Sequence, residues 1–285
     1  MKLEFTYQFP HTSWSVFHVF DRFYKECEKN LKKYKITNVN SSSHYRGNPG
    51  GPFSPHIMTI KNLKNNKYII VSYWDHAQEF DMTHHGWDPS NRVAIYTSSG
   101  IKGGQSFIPF SYIPYTTHFD ELSKEALPIK DKKNNELIFR GFLYGQRMSL
   151  SLTNKIKIVD EKIMPEKLYF DDFTNNKICL SLNGAAEICN RDIEILSSRS
   201  VLLRPILKQK FHNELIPNIH YVGFEYNEDP NIQADIILET YNNIKDDDEF
   251  LTFISNNGYK WFLENGTIDA NVRILTEIIN FELLK

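Results

Sequence analysis

The sequence predicts an α/β protein in two domains, each built on a largely parallel sheet, with a cleft between them. Three observations carry this. The chain has 285 residues, which suits two domains of about 130 residues better than one. Short β-type runs alternate with helical patterns along the whole length, the arrangement that builds parallel sheets. Residues 120–136, DELSKEALPIKDKKNNE, form the sharpest break in composition. The expected division is an N-terminal domain over 1–130, a second domain over 131–265, and a terminal helix over 266–285 that packs back toward the first. In open α/β sheets ligands bind beyond the carboxyl ends of strands, so functional residues are sought there.

The elements follow in order. LEFTYQF (3–9) alternates as a strand does. SVFHVFDRFYKECEKNLKK (15–33) carries Val16, Val19, Phe20, Phe23, Tyr24 and Cys27 at helical spacing and ends in basic turns, which suits a helix C-terminus. YKITNV (34–39) is a second strand. SSSHYRGNPGGPFSPH (41–56) is a loop by its Gly, Pro and Ser content. KYIIVSYWD (67–75) is the clearest buried strand of this half, and RVAIYTSSG (92–100) is another. SFIPFSYIPYTTH (106–118), rich in Pro and aromatics, suits an edge or a connection.

In the second half ELIFRGFLYGQR (136–147) opens with a strand, and RMSLSL continues it as a helix. IKIVDEKI (156–163) is a strand and KLYFDDFTNN a short helical turn. KICLSL (177–182), SVLLRP (200–205) and HYVGFE (220–225) are three more strands. Helical patterns cover 234–245, 246–266 and 267–284, the second opening on a run of aspartates that suits a cap.

Composition excludes several classes. The chain is 41% hydrophobic and 14% aromatic, too rich for disorder. Its net charge of −2 supplies no basic field for nucleic acid. No run approaches the roughly 18 apolar residues that span a bilayer, and MKLEFTYQFPHTSW lacks the apolar core of a signal peptide. Cys27, Cys179 and Cys189 are too few and too scattered for a disulfide framework or a zinc site. A reducing, cytoplasmic compartment is expected.

Two constellations carry chemistry. The first is KICLSLNGAAEICNRDIEILSSRSVLLRP (177–205). Asn183, Gly184 and Ala185 form a small-residue turn at the end of a strand, where backbone can approach a ligand. A helix beginning there offers free N–H groups to a phosphate. Glu187 and Glu194 are seven residues apart, hence on one face of that helix, and a carboxylate near the helix start can accept hydrogen bonds from a ribose diol. The bland alternative is a solvated face of Glu187, Arg191 and Glu194 pairing along the helix. The second constellation is FRGFLYGQR (139–147). It places Gly145, Arg140 and Arg147 at the end of another strand of the same sheet. Arginine grips phosphate oxygens bidentately and keeps its charge at any working pH.

The order of strand, G-x-x-Y-G-x-R, strand, small-residue turn, R-D-I-E and a strand ending in Arg-Pro, over residues 136–225, resembles the nucleotide-sugar-binding half of exostosin-like glycosyltransferases, of the kind found in phages, large algal viruses and bacteria. The resemblance implies a GT-B architecture: two Rossmann-like domains, the donor nucleotide on the C-terminal one and the acceptor on the N-terminal one. It implies that Glu194 holds the ribose, that Arg147 holds the diphosphate, and that Arg191 and the turn Gly184–Glu187 contact phosphate or sugar. It also implies UDP as the favoured nucleotide; it does not fix the sugar, for which a pentose such as xylose is one candidate. The chain departs from the pattern in reading NGAAE in the turn and SSRS before the next strand.

Glycosyl transfer with inversion needs a general base on the acceptor hydroxyl, and in a two-domain cleft it comes from the first half. Asp75, after the buried strand and beside Tyr73 and Trp74, is the candidate; partial desolvation would raise its pKa and suit it to the task. The alternative is that Asp75 caps the segment after it. Trp74 can form a stacking floor for a sugar, and His76, His84, His44 and Arg46 are further acceptor-binding candidates. His56 stands with His44 and Arg46 as a polar candidate of the same loop, and His11 and Trp14 are weaker ones. The pair His84-His85 has no partner at metal-ligand spacing, and no essential metal or other cofactor is expected. The expected partners are a nucleotide sugar and a glycan acceptor. The rival reading is a non-catalytic carbohydrate- or nucleotide-binding module. A Rossmann oxidoreductase or epimerase would need G-x-G-x-x-G after its first strand, and none is present.

Overall fold

The structure is a computed structural model that describes residues 2–8, 25, 26, 29, 35–40, 56–73, 91–97, 108–109, 118–160, 166–184, 187–208, 210 and 212–283. The chain forms two compact units. Unit 1 comprises 1–116, 209–214 and 265–285, and unit 2 comprises 117–208 and 215–264. The compositional break at 120–136 thus lies inside unit 2, where Phe119, Leu122 and Ile129 are buried.

Unit 1 holds a six-stranded sheet of β1 (Lys2–Gln8), β2 (Lys35–Asn40), β3 (His56–Asn62), β4 (Tyr68–Tyr73), β5 (Arg92–Thr97) and β6 (Ile108–Pro109), in the order β2-β1-β3-β4-β5-β6. The expected parallel sheet is corrected here. β1–β2, β4–β5 and β5–β6 are parallel, but β3 runs antiparallel to both β1 and β4. The physical reason is the link between β3 and β4, far too short for a parallel crossover. That link contains neither Gly nor Pro, which hides the hairpin in the sequence. Asparagines serve instead. Asn66 takes φ 60°, and the side-chain oxygens of Asn62 and Asn65 accept from the amides of Lys64 and Lys67, as in Asx turns. Tyr68, Ile69, Ile70 and Val71 are all buried, so β4 is covered on both faces.

Of the helix expected over 15–33, only Lys25, Glu26 and Lys29 are described, and all three are helical. The terminal helix (Ile268–Glu282) belongs to unit 1. Thr267 caps it by accepting from the Ala270 amide, and Asn62 of the β3–β4 turn donates to the Leu283 carbonyl at its far end. Among the described residues no helix is long and apolar enough to cross a membrane.

Unit 2 is an α/β unit with parallel pairing throughout. β7 (Ile138–Arg140) pairs with β8 (Lys157–Val159); β9 (Ile178–Leu180), β10 (Val201–Pro205) and β11 (Val222–Phe224) form a second parallel set with β10 in the middle. β7 packs beside β9, so the strands follow the spatial order β8-β7-β9-β10-β11. Counted within the unit this is 2-1-3-4-5, a doubly wound order whose connections diverge between the first and third strands. The helices are α1 (His118–Lys124), α2 (Gln146–Ser151), α3 (Glu166–Asn175), α4 (Asn190–Ser197), α5 (Pro230–Ile244) and α6 (Asp248–Asn265), and the terminal helix is α7. Phe139, Leu180, Leu203 and Phe224 of the strands pack with Leu150 of α2, Ile237 of α5 and Leu251 of α6 in one core.

Two devices close the helices of this unit. Lys132, buried, donates from Nζ to the carbonyls of Phe173, Thr174 and Ser198, so one ammonium serves the carboxyl ends of α3 and α4, where a cation is favoured by the helix dipole. The SSRS segment ends α4 in the manner of a Schellman turn. Arg199 adopts φ 58°, and the amides of Arg199 and Ser200 donate to Leu196 and Ile195.

Candidate functional site

The strand order directs attention to the carboxyl ends of β7 and β9, the position at which doubly wound sheets bind their ligands. β7 ends at Arg140, and the chain then runs through Gly141 to Gly145. Gly145 has φ 51°, a left-handed conformation that glycine adopts without penalty. This turn starts α2 so that Arg147 points inward.

Arg147 is 4% exposed. Its Nη2 donates to the Leu182 carbonyl after β9 at 2.8 Å, and Nη1 to the Phe142 carbonyl at 3.3 Å. The guanidinium lies over two rings, 5.3 Å from the centre of Phe139 and 4.8 Å from that of Tyr144. Its Nε has no hydrogen-bond partner, and among the described residues Arg147 makes no ion pair. Burial, and next the neighbouring Arg191, lower its proton affinity. A buried guanidinium held by neutral carbonyls alone is incompletely compensated.

Arg191, in the first turn of α4, is 6% exposed and covers Phe139 at 4.3 Å. Two cations therefore share one aromatic ring. Gly141 makes room for the second: a Cβ there would lie 1.8 Å from Arg191 Nη2. The solvated face considered for Glu187, Arg191 and Glu194 is corrected, since Arg191 and Glu194 are both buried.

The helix geometry also differs from expectation. α4 begins at Asn190, so Glu187 precedes it and shares no helical face with Glu194. Asp192 reaches back to accept from the Cys189 amide at 2.7 Å, the carboxylate half of a capping box. That amide is served from within the chain and is not left for a phosphate. Asp192 Oδ2 also accepts from Arg204 Nη1 at 2.7 Å, with both side chains almost fully buried. Arg204 Nη2 donates to Asn183 Oδ1 and to the Glu187 carbonyl, and its Nε to the Pro205 carbonyl. Glu187 Oε2 accepts from the Lys208 amide. Cys189, at the head of α4, has its thiol pushed up by burial first and by Asp192 next, which keeps it protonated and non-nucleophilic.

The sequence-derived donor residues thus fall into four groups. Glu187 precedes α4 and Glu194 is buried within it. Arg147, Arg191, Asn183, Gly184 and Gly145 cluster around the ends of β7 and β9. Arg140 is drawn aside: it pairs with Asp172 of α3. Ala185 lies outside the described residues, as do Asp75, Trp74, His76, His84, His44 and Arg46. Sequence reasoning missed Phe139, Gly141, Asp192 and Arg204. Arg204 had a signal, a charged residue inside the apolar run SVLLRP, and its partner Asp192 twelve residues earlier sits in a helix pattern that looks solvated. Among the described residues no group of three metal-ligating side chains converges. No known family model matches the chain, and no curated protein does so.

Proposed function

We propose that the protein is a glycosyltransferase that moves a sugar from a nucleotide-diphosphate donor, UDP-sugar in the first place, onto a glycan hydroxyl. The carrying observation is Arg147, a buried cation that makes no ion pair among the described residues, beside a second buried arginine at the carboxyl ends of β7 and β9. Such a pair is suited to a diphosphate, whose oxygens accept the bidentate fork and supply the missing negative charge. The resemblance of residues 136–225 to exostosin-like glycosyltransferases supports the same assignment and, with it, a GT-B arrangement.

In this reading Arg147 and Arg191 bind the diphosphate and stabilise the charge that grows on it as the sugar leaves. Glu194 binds the ribose. The acceptor oxygen attacks the anomeric carbon, the bond to the phosphate oxygen breaks, and that oxygen departs with the electron pair. Asp75 takes the acceptor proton, and a single displacement inverts the anomeric centre. The donor is held by arginines, with no step assigned to a metal.

The test is thermal unfolding of the full chain with UDP, GDP, UDP-xylose and related donors. Ligand at a hundredfold excess over Kd adds about 2.7 kcal/mol, which raises Tm by roughly 5–10 °C for a unit of this size. Stabilisation by no nucleotide diphosphate overturns the proposal. Asp75→Asn separates transferase from binding module: the enzyme keeps nucleotide affinity and loses transfer.

A further inference from the structure

Arg204 sits at the carboxyl end of β10 and is 1% exposed. Its hydrogen bonds run to four places. One is the carbonyl of the adjacent Pro205, and one is Asp192 in the first turn of α4. The other two bracket the loop after β9: Asn183 Oδ1 at 3.1 Å on its near side and the Glu187 carbonyl at 2.8 Å on its far side. A buried arginine needs one carboxylate to balance its charge, and Asp192 supplies it. The fork therefore has donors to spare, and they tie both ends of the loop after β9 to the neighbouring strand. Asp192 in turn caps the helix that carries Arg191.

We propose that Arg204 is a positioning residue for the diphosphate site; this rests on the donor reading above. It touches no ligand itself. It fixes Asn183 and the Glu187 carbonyl and, through Asp192, the start of α4, so that Arg191 is in place before the anion arrives. Preorganisation of this kind contributes affinity because less must be ordered on binding. Lysine cannot substitute. It keeps the charge opposite Asp192 but presents its donors from a single point, without the planar fork.

The experiment compares four full-length proteins: wild type, Arg204→Lys, the double variant Arg204→Met/Asp192→Asn, and Lys132→Met. The double variant leaves no lone buried charge and keeps an acceptor for the Cys189 amide. Lys132→Met removes an equally buried cation from the same unit, away from the loop. Calorimetric UDP binding, the urea midpoint and amide hydrogen exchange without nucleotide are read for each. Both Arg204 variants are expected to weaken UDP about tenfold or more, the equivalent of roughly one charged hydrogen bond, and to speed exchange of the Cys189 amide, which Asp192 caps. Lys132→Met is expected to lower the urea midpoint while leaving UDP affinity within about twofold. Unchanged UDP binding in the Arg204 variants overturns the positioning role alone. An equal loss in Lys132→Met overturns it too, since any loosening of the unit would then suffice. Failure of both Arg204 variants to fold while Lys132→Met folds makes Arg204 a core residue and overturns the proposal. A wild type that ignores UDP overturns the donor reading, and the positioning role with it.

Discussion

Replacing Arg147 with methionine should separate stability from binding. In the unliganded protein Arg147 makes two hydrogen bonds, to the carbonyls of Leu182 and Phe142. Hydrogen bonds to a charged group contribute about 1.5–3 kcal/mol each, and the longer bond to Phe142 belongs at the low end. Against that stands the burial of a guanidinium without a carboxylate, a penalty of several kcal/mol after relaxation. Methionine keeps apolar contact with Phe139 and Tyr144, through a thioether that packs well on rings. The terms nearly cancel. The variant should unfold within about 2 kcal/mol of the wild type in either direction, a Tm change of less than roughly 8 °C. Binding does not cancel. Loss of one bidentate arginine–phosphate contact, about 3 kcal/mol, weakens UDP by roughly 150-fold. The assay is titration calorimetry with UDP beside urea denaturation. A variant that binds UDP within twofold of wild type, or one that loses more than about 5 kcal/mol of stability, shows that Arg147 serves the core and not a ligand.

The remaining predictions are these. Gly141→Ala places a methyl group where the Arg191 guanidinium now lies and does so at φ 157°, a conformation that L side chains rarely adopt; stability should fall by about 1–3 kcal/mol in urea, while UDP affinity falls several-fold by calorimetry. Gly258→Ala instead meets backbone, 2.5 Å from the His220 carbonyl oxygen, and should destabilise by about 1–3 kcal/mol in urea without changing the affinity for UDP of what remains folded. Lys132 loses its proton near 8 in the folded protein through burial, against an ordinary value of 10.5. Unfolding therefore takes up a proton between those values, and the contribution of this group to stability rises with pH across that window. Wild type should gain relative to Lys132→Met between pH 8 and 10.5, by about 3 kcal/mol at most; a constant difference between the two across that range would refute it.

The sequence by itself determined the strands of unit 2, though not that residues 120–136 belong to it. Ile178–Leu180 and Val201–Pro205 are buried along their whole lengths, and such strands read as apolar runs whatever surrounds them. It also placed Arg147, Arg191 and Asn183 near strand ends, because strand, turn and helix signals are local. What only the tertiary structure decided is how those charges are used. Arg140 and Arg147 lie seven residues apart in one motif, yet one pairs with Asp172 and the other lies over two rings and makes no ion pair among the described residues. Asp192 and Glu194 share a helix turn that reads as solvated, yet both are buried, and Asp192 holds an arginine from the next strand. The β3–β4 hairpin escaped because asparagine supplied the turn in place of glycine. Local propensity follows from residues adjacent in the chain, whereas the compensation of a charge depends on which distant groups the fold brings close, because the Coulomb energy grows as the separation and the local dielectric fall.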